Sequence, residues 1–138
     1  MNIVIKTKEI KEKELFLRHL QSHLKEKGID SVLIEKNMLI LKNKFFNNQS
    51  RLNSFAYTKD GNININSFEG NTKINYKYRS YKFPLYICLF FGILTFFEKI
   101  PLIIFLLVLV IVFLNSYINY LKQKKYIKKL TNEFIDKK

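Results

Sequence analysis

The longest pattern of apolar positions in this chain lies between residues 83 and 118. Two nearly uninterrupted apolar runs, residues 83–97 and 100–114, are separated by Glu98 and Lys99. A helix that crosses a bilayer needs roughly 20 mostly apolar residues, with about 17 as the lower limit. The pattern therefore predicts a transmembrane helical hairpin whose two antiparallel helices cover residues 81–97 and 100–118.

The alternative is a helical hairpin buried in a globular core. A helix that covers such a core usually keeps one polar stripe, and neither run has one. Pro84 and Pro101 stand near the start of the two runs, where a helix does not use the backbone N–H. Cys88, Gly92 and Thr95 form a small-residue face along which we expect the second helix to pack.

Residues 1–80 show shorter patterns that are typical of strands and one helix. Apolar and polar residues alternate from residue 2 to residue 7, and helical spacing follows between an expected cap at Thr7 and a stop at Gly28. Asp60-Gly61 is the strongest hairpin signal in the chain, and a polar connection precedes it at residues 43–53. The expected strands are residues 2–7, 31–35, 38–42, a strand that begins at Phe55 and Tyr57, residues 62–66 and residues 73–79.

The predicted fold class is α+β. One amphipathic helix lies on an antiparallel β-meander of about five strands, and a transmembrane helical hairpin and a C-terminal amphipathic helix follow. The side chains of the first helix that we expect in the core are Ile10, Leu17, Leu20 and Leu24. The predicted domains are residues 1–80 (cytoplasmic α+β domain), 81–118 (transmembrane hairpin) and 119–138 (basic amphipathic helix).

The last helix should continue the second membrane helix without a break to about residue 135. No glycine or proline follows Pro101, and its final turns have an apolar side formed by Tyr120, Ile127, Leu130 and Phe134. That apolar side needs cover. The sequence leaves three possibilities open, namely the N-terminal domain, a second copy in a coiled coil, and the membrane surface.

The chain carries a formal net charge of +13. Nucleic acid is one possible partner of such a chain, but strand alternation puts Tyr76 and Tyr78 on the opposite face from the neighbouring cations. We therefore expect no nucleic acid and an anionic leaflet as the partner, at about 1 kcal/mol per cation near its surface. The residues expected to contact the membrane surface or a partner are Lys73, Lys77, Arg79, Lys82, Lys122, Lys125 and Lys129.

Orientation follows from the basic residues that flank the two apolar runs. Basic residues cluster before the first run and after the second, whereas the connecting turn carries one Lys offset by one Glu. The positive-inside rule then predicts a multi-pass protein of the inner or plasma membrane, with both termini in the cytoplasm. Residues 1–30 contain no apolar segment of the kind a signal peptide needs.

Candidate chemistry is sparse. His19 and His23 have the i, i+4 spacing of metal ligands, with Glu12 and Glu26 on the same helix face, but that face is expected to point to solvent. No phosphate loop, nucleophile elbow or zinc motif is present in the sequence. We therefore expect no catalytic residue, no metal site, no cofactor and no enzymatic activity.

These features predict a small integral membrane protein that tethers a non-catalytic binding or regulatory domain to the inner face of the membrane. Its partners would be the bilayer and its anionic lipids, with a protein partner or a second copy as further candidates. The alternative is an oligomeric membrane-active effector or channel-forming protein. Asn115 and Asn119, spaced i, i+4 near the end of the second run, are either cross-helix hydrogen-bonding residues or an interfacial helix end.

Overall fold

The computed structural model describes residues 1–44, 54–55, 58–68, 70–80, 83–98 and 100–136. One strand and one helix come first, four consecutive strands follow, and two helices that begin with apolar segments come last. In chain order they are β1 (Asn2–Lys8), α1 (Lys13–Glu26), β2 (Ser31–Glu35), β3 (Met38–Lys42), β4 (Thr58–Phe68), β5 (Asn71–Ser80), α2 (Phe83–Phe96) and α3 (Leu102–Asp136).

The five strands form one antiparallel sheet in the order β1-β5-β4-β3-β2. The chain meanders from β2 to β5, and β1 adds to the far edge beside β5, with Ile3 opposite Tyr76 and Ile5 opposite Ile74. The side chains of these four residues are buried on the inner face. The predicted α+β class and the antiparallel sheet are therefore confirmed. The sheet has five strands, and its meander has four where about five were expected, because β4 is one continuous strand through residues 58–68.

Helix α1 covers the inner face of the sheet. Leu17, Leu20 and Leu24 are buried as predicted, and Phe16 joins them. The Gln21 amide also donates to the carbonyl oxygen of Val32 at 2.7 Å, which fixes the helix against β2. Spacing of three and four residues places Leu17, Leu20 and Leu24 on one helix face. The sequence pattern therefore predicted these buried positions correctly.

The start of α1 differs from the prediction. Thr7 does not cap a helix, because β1 continues to Lys8 and pairs with β5 along its whole length. Ile10 is buried as expected but precedes the helix, and its N–H donates to the Thr72 hydroxyl at 2.8 Å. Pairing with a distant strand therefore delays the helix to Lys13.

The hairpin predicted at Asp60-Gly61 is wrong. β4 runs through both residues to Phe68, and a Cβ on Gly61 would lie 3.0 Å from the Lys77 carbonyl oxygen and 3.0 Å from a Tyr76 ring carbon. The glycine therefore permits a close strand approach and not a turn. Of the strand predicted to begin at Phe55 and Tyr57, Phe55 lies in a turn and Tyr57 lies outside the described residues, as do residues 45–53 of the polar connection.

Helix α3 is continuous over 35 residues, as predicted. Of the three covers that the sequence left open for its apolar side, the structure shows the N-terminal domain. Ile127 and Leu130 are buried in the same core as α1 and the sheet, and the rings of Phe134 and Phe16 pack with centroids 5.2 Å apart.

A transmembrane hairpin of two spanning helices is not supported. Among the described residues, α3 is the one helix long and apolar enough to cross a membrane, by length and composition alone. Helix α2 has 14 residues, whereas residues 81–97 were predicted to span. The first apolar run is shorter because Phe97 and Glu98 form a turn, with Glu98 in the left-handed conformation at φ 56°.

Candidate functional site at the junction of domain and apolar helices

Helix α2 and residues 102–118 of α3 form an antiparallel pair, here called the apolar hairpin. Gly92 lies opposite Phe105, since a Cβ on Gly92 would be 3.6 Å from that ring. Farther from the turn, Ile87 and Val112 line one cavity. The antiparallel direction follows from these two pairs, because positions earlier in α2 face positions later in α3.

The predicted small-residue face lies on α2. Gly92 and Cys88 are half-buried, and Gly92 faces α3. The Thr95 hydroxyl donates to the Phe91 carbonyl oxygen at 2.9 Å, within its own helix. The distance of 3.6 Å is an ordinary van der Waals contact, so the described packing at Gly92 leaves room for a methyl group.

The apolar hairpin exposes most of its large side chains. Of the large apolar side chains that are exposed in the described part of the chain, all but five lie between Leu85 and Leu121. Phe113 is 71% exposed and Ile103 is 67% exposed. Contiguous exposed apolar surface of this kind marks a membrane or protein contact.

The second half of α3 returns to the domain that precedes the apolar hairpin. Tyr126 donates its hydroxyl hydrogen to the His23 carbonyl oxygen at 3.3 Å and packs edge-on against Phe55, with ring centroids 5.7 Å apart. Burial raises the pKa of the Tyr126 hydroxyl, and the charges of Glu26 and Glu133 raise it further. Both ends of the apolar hairpin are therefore attached to the same folded body.

A cavity of about 190 Å³ lies where the domain meets the apolar hairpin. We call it the junction cavity. Its domain side is formed by the turn at Ser54 and by the end of β5 at Tyr78, and its hairpin side by Ile87 and Val112. Met1 and Ser80 also line it, and a polar stripe on α3 contributes Asn115, Ser116, Asn119 and Gln123. These spacings of three and four residues bring the stripe onto one helix face.

Gln123 is the most buried member of that stripe, with 2% of its surface exposed. Its amide nitrogen donates to the Ser54 carbonyl oxygen at 2.6 Å and lies 3.2 Å from the Thr58 hydroxyl. Its amide oxygen Oε1 is buried and has no hydrogen-bond partner among the described residues. Tyr78 lies beside the cavity, and burial raises the pKa of its hydroxyl to about 12.

The predicted contact cations lie on two separate surfaces. Lys73, Lys77 and Arg79 are exposed on the outer face of the sheet. The Arg79 guanidinium donates to both carboxylate oxygens of Asp60, at 2.7 and 2.9 Å, and this bidentate pair raises the Arg79 pKa. Lys82 lies outside the described residues.

The remaining cations lie on α3. Lys122, Lys125 and Lys129 are exposed, and Lys129 pairs with Glu133 at 3.6 Å. They lie on the part of α3 that follows the apolar hairpin. The cations of the sheet lie on β5, the strand that precedes α2. Cations are therefore present on both chain segments that connect the domain to the apolar hairpin, namely β5 and the second half of α3.

The outer face of the sheet is polar along most of β4 and β5, carries exposed Val4, Leu33 and Phe68 elsewhere, and has no helix packed on it among the described elements. Asn62, Asn64 and Asn66 alternate along β4 with buried isoleucines, and Asn64 pairs with Asn75 across the strand boundary. A shallow groove crosses this face beside Lys77. Side chains with both donors and acceptors suit contact with a polar partner.

The sequence predicted that the face carrying His19 and His23 points to solvent. The structure differs, because this face is partly covered. Both rings are half-buried, and the His19 ring packs 5.6 Å from the ring of Phe134 on α3. The His19 and His23 centroids are 4.3 Å apart. The described residues contain no group of three or more His, Cys, Asp or Glu side chains placed to hold a metal ion.

Sequence reasoning missed the junction cavity. It singled out Asn115 and Asn119 for their spacing but did not connect them with Gln123, Ser54 or Tyr78. The available signal was the run of polar residues at helical spacing that begins where the apolar run ends.

No family model, no curated protein and no solved structure matches this chain.

Proposed function

We propose that the protein is a membrane anchor for its own polar domain, with the apolar hairpin inserted in a bilayer and the sheet held at the surface. The observation that carries the proposal is the return of α3. Ile127 and Leu130 are buried in the domain core, and the exposed apolar surface lies on the segment between the domain and these residues. A segment attached at both ends to one body enters and leaves the bilayer on the same side.

The composition of α3 supplies the driving force. Every residue from 102 to 114 is Leu, Ile, Val or Phe, and each such residue favours insertion by about 0.3–0.6 kcal/mol. The sum is about 4–8 kcal/mol for this segment alone. The domain contributes no comparable surface, since only five of the large apolar side chains that are exposed in the described residues lie on it.

The depth of insertion follows from the length of α2 and the charges of the turn. Fourteen residues rise about 21 Å, which is shorter than the hydrocarbon core of about 30 Å. Leaving Glu98 and Lys99 in hydrocarbon costs about 5–7 kcal/mol together. Thinning the bilayer by the missing length of about 9 Å, at fractions of a kcal/mol per Å, costs about 2–4 kcal/mol in total. We therefore expect the turn to reach the far headgroups of a locally thinned bilayer.

The basic residues select the side on which the domain lies. Lys122, Lys125 and Lys129 follow the apolar hairpin directly, and positive residues favour the cytoplasmic face. Anionic lipids there add about 1 kcal/mol per cation near the surface. On this account both termini are cytoplasmic and the outer face of the sheet is presented to partners at raised effective concentration.

The alternative of a channel-forming oligomer has less support. A water-filled pore needs polar or ionisable side chains along its wall. The sequence of α3 has none between Leu102 and Leu114, and the polar stripe at Asn115 begins at the domain end. Tethering requires no such lining.

Flotation of the purified full chain with phosphatidylcholine and phosphatidylglycerol vesicles tests the proposal. Leu107, 57% exposed on α3, is replaced in L107R, and the matched control L33R carries the same change at a site 51% exposed on the sheet. Arginine at the centre of a membrane helix costs about 2.5–3.5 kcal/mol, so L107R should lower vesicle partitioning by about 100-fold or more. L33R should float as the unsubstituted chain does. Equal flotation of L107R and L33R, or no flotation of the unsubstituted chain, would contradict the proposal.

A further inference from the structure

We infer that the junction cavity binds a neutral, hydroxyl-bearing headgroup, such as the glycerol of a diacylglycerol. The inference rests on the proposed membrane anchorage, because that places the cavity at headgroup level. The cavity is open in part and has a polar side toward the domain and an apolar side toward the hairpin. An amphiphile has the same division between its headgroup and its chains.

The polar side of the cavity offers a ligand hydrogen-bond donors and acceptors on α3. Gln123 Oε1 is buried without a partner among the described residues, and an unsatisfied buried acceptor is unfavourable. Its amide nitrogen is already engaged by the Ser54 carbonyl oxygen and the Thr58 hydroxyl. Because Oε1 has almost no accessible surface, a ligand hydroxyl in the cavity would bond instead to Asn115, Ser116 and Asn119, the polar side chains of α3 that line it.

The lining favours a neutral ligand over a charged one. The side chains that line the cavity, within the part of the chain that the structure describes, are uncharged, and four of them on α3 are amides or hydroxyls. An ammonium group enclosed there would lose hydration without a counter-charge, which is costly. Met1 also lines the cavity, and its α-ammonium already donates to the Tyr78 carbonyl oxygen at 2.8 Å, so an enclosed phosphate would meet one cation that is already engaged. Hydroxyls both donate and accept, and so match Asn115, Ser116 and Asn119, which do the same.

The size of the cavity fits a small polyol. A volume of about 190 Å³ corresponds to roughly six water molecules at about 30 Å³ each. A glycerol unit has six non-hydrogen atoms, and Ile87 and Val112 at the hairpin side offer apolar contact for the first carbons of the attached chains. The same hydroxyl chemistry is available from a free polyol, so the two sources need separate measurement.

Thermal unfolding of the full chain in a neutral detergent, with dioctanoylglycerol as the probe, tests the inference. Near-ultraviolet circular dichroism of the tyrosines follows unfolding, because Tyr76 and Tyr78 are buried in the domain. At about ten times the Kd, the probe should raise Tm by about 5–10 °C. The variant N119L, at a half-buried cavity position, should lose the shift, and N132L should keep it, because Asn132 is an exposed asparagine of the same helix away from the cavity.

Two further probes separate the possible ligands. A shift with free glycerol at the same concentration would support the hydroxyl site and identify a soluble polyol as its source. An equal shift with the short-chain phosphatidic acid would overturn the inference, because the charged headgroup should be rejected. No shift with either hydroxyl probe, or a shift retained in N119L, would overturn it as well.

The micelle assay does not depend on insertion into a bilayer. A protein that fails to float with vesicles but shows the selective shift would refute the membrane proposal and keep the cavity as a polyol site. A protein that floats but shows no shift would refute the cavity assignment alone.

Discussion

The docking of α3 on the domain can be tested at one residue, Ile127. Its side chain is fully buried, with 0% exposed, although it lies beyond the apolar hairpin and far along the chain from the sheet. The substitution I127A removes buried methyl and methylene groups and leaves a cavity, which costs about 2–5 kcal/mol. A domain of this size has a total stability of about 5–15 kcal/mol, so the loss is a large share.

The expected result is a fall of Tm by about 10 °C or more, since 1 kcal/mol corresponds to about 4–8 °C in a domain of 60–100 residues. Near-ultraviolet circular dichroism in neutral detergent is the assay, because the buried rings of Tyr76 and Tyr78 in the sheet lose their fixed surroundings when the domain unfolds. The control is L121A on the same helix, where the leucine is 43% exposed and the loss should stay well below that of I127A. Equal losses for the two variants would refute the docking of α3.

Three further outcomes follow from the described packing. G61A should lower stability by about 1–3 kcal/mol, because its Cβ meets backbone and ring atoms at 3.0 Å, whereas G92A, with 3.6 Å to the nearest ring atoms, should change little; similar denaturation midpoints for both would contradict this. Burial raises the pKa of the Tyr76 hydroxyl above its ordinary value of about 10. The free energy of unfolding should therefore be unaffected by this group below pH 10 and fall by about 1.4 kcal/mol per pH unit above it. Alkaline denaturation should be less steep in Y76F, and an identical pH profile would count against the effect. A fragment of residues 1–80 lacks the α3 side chains of the core and should show no cooperative thermal transition, and a sharp transition would show that the domain does not need α3.

Much of the fold could be predicted because its signals are local. Alternation on β5 identified Tyr76 and Tyr78 as inward-facing, and helical spacing identified Leu17 and Leu20. The continuity of α3 followed from the absence of helix breakers after Pro101. In each case the residue types and the backbone period agreed, and tertiary contacts only reinforced them.

The failures arose where distant residues decide the local structure. Asp60-Gly61 is a turn signal in isolation, but the pairing of Asp60 with Arg79 and the close approach of Tyr76 to Gly61 keep the segment extended. The start of α1 moved for a similar reason, since β1 pairs with β5 up to Lys8. Local turn and cap preferences are weaker than a fully paired strand.

The candidate site was the least predictable part. The junction cavity combines Ser54, Tyr78 and Gln123, which are widely separated in the chain. Gln123 looks like one polar residue among many in a basic helix, and only the folded structure shows that it is buried and bonded to Ser54. Spacing can place residues on one face of a helix but does not identify what covers that face.

The most direct test of the central claim is cysteine accessibility in vesicles reconstituted with the full chain. In a C88S background, single cysteines replace Lys11 in the domain, Leu107 in the apolar hairpin and Lys128 near the end of α3, all of them exposed. An impermeant thiol reagent should label K11C and K128C from the same side, and L107C should react only after detergent is added. Labelling of K11C and K128C from opposite sides, or of L107C in intact vesicles, would contradict the account.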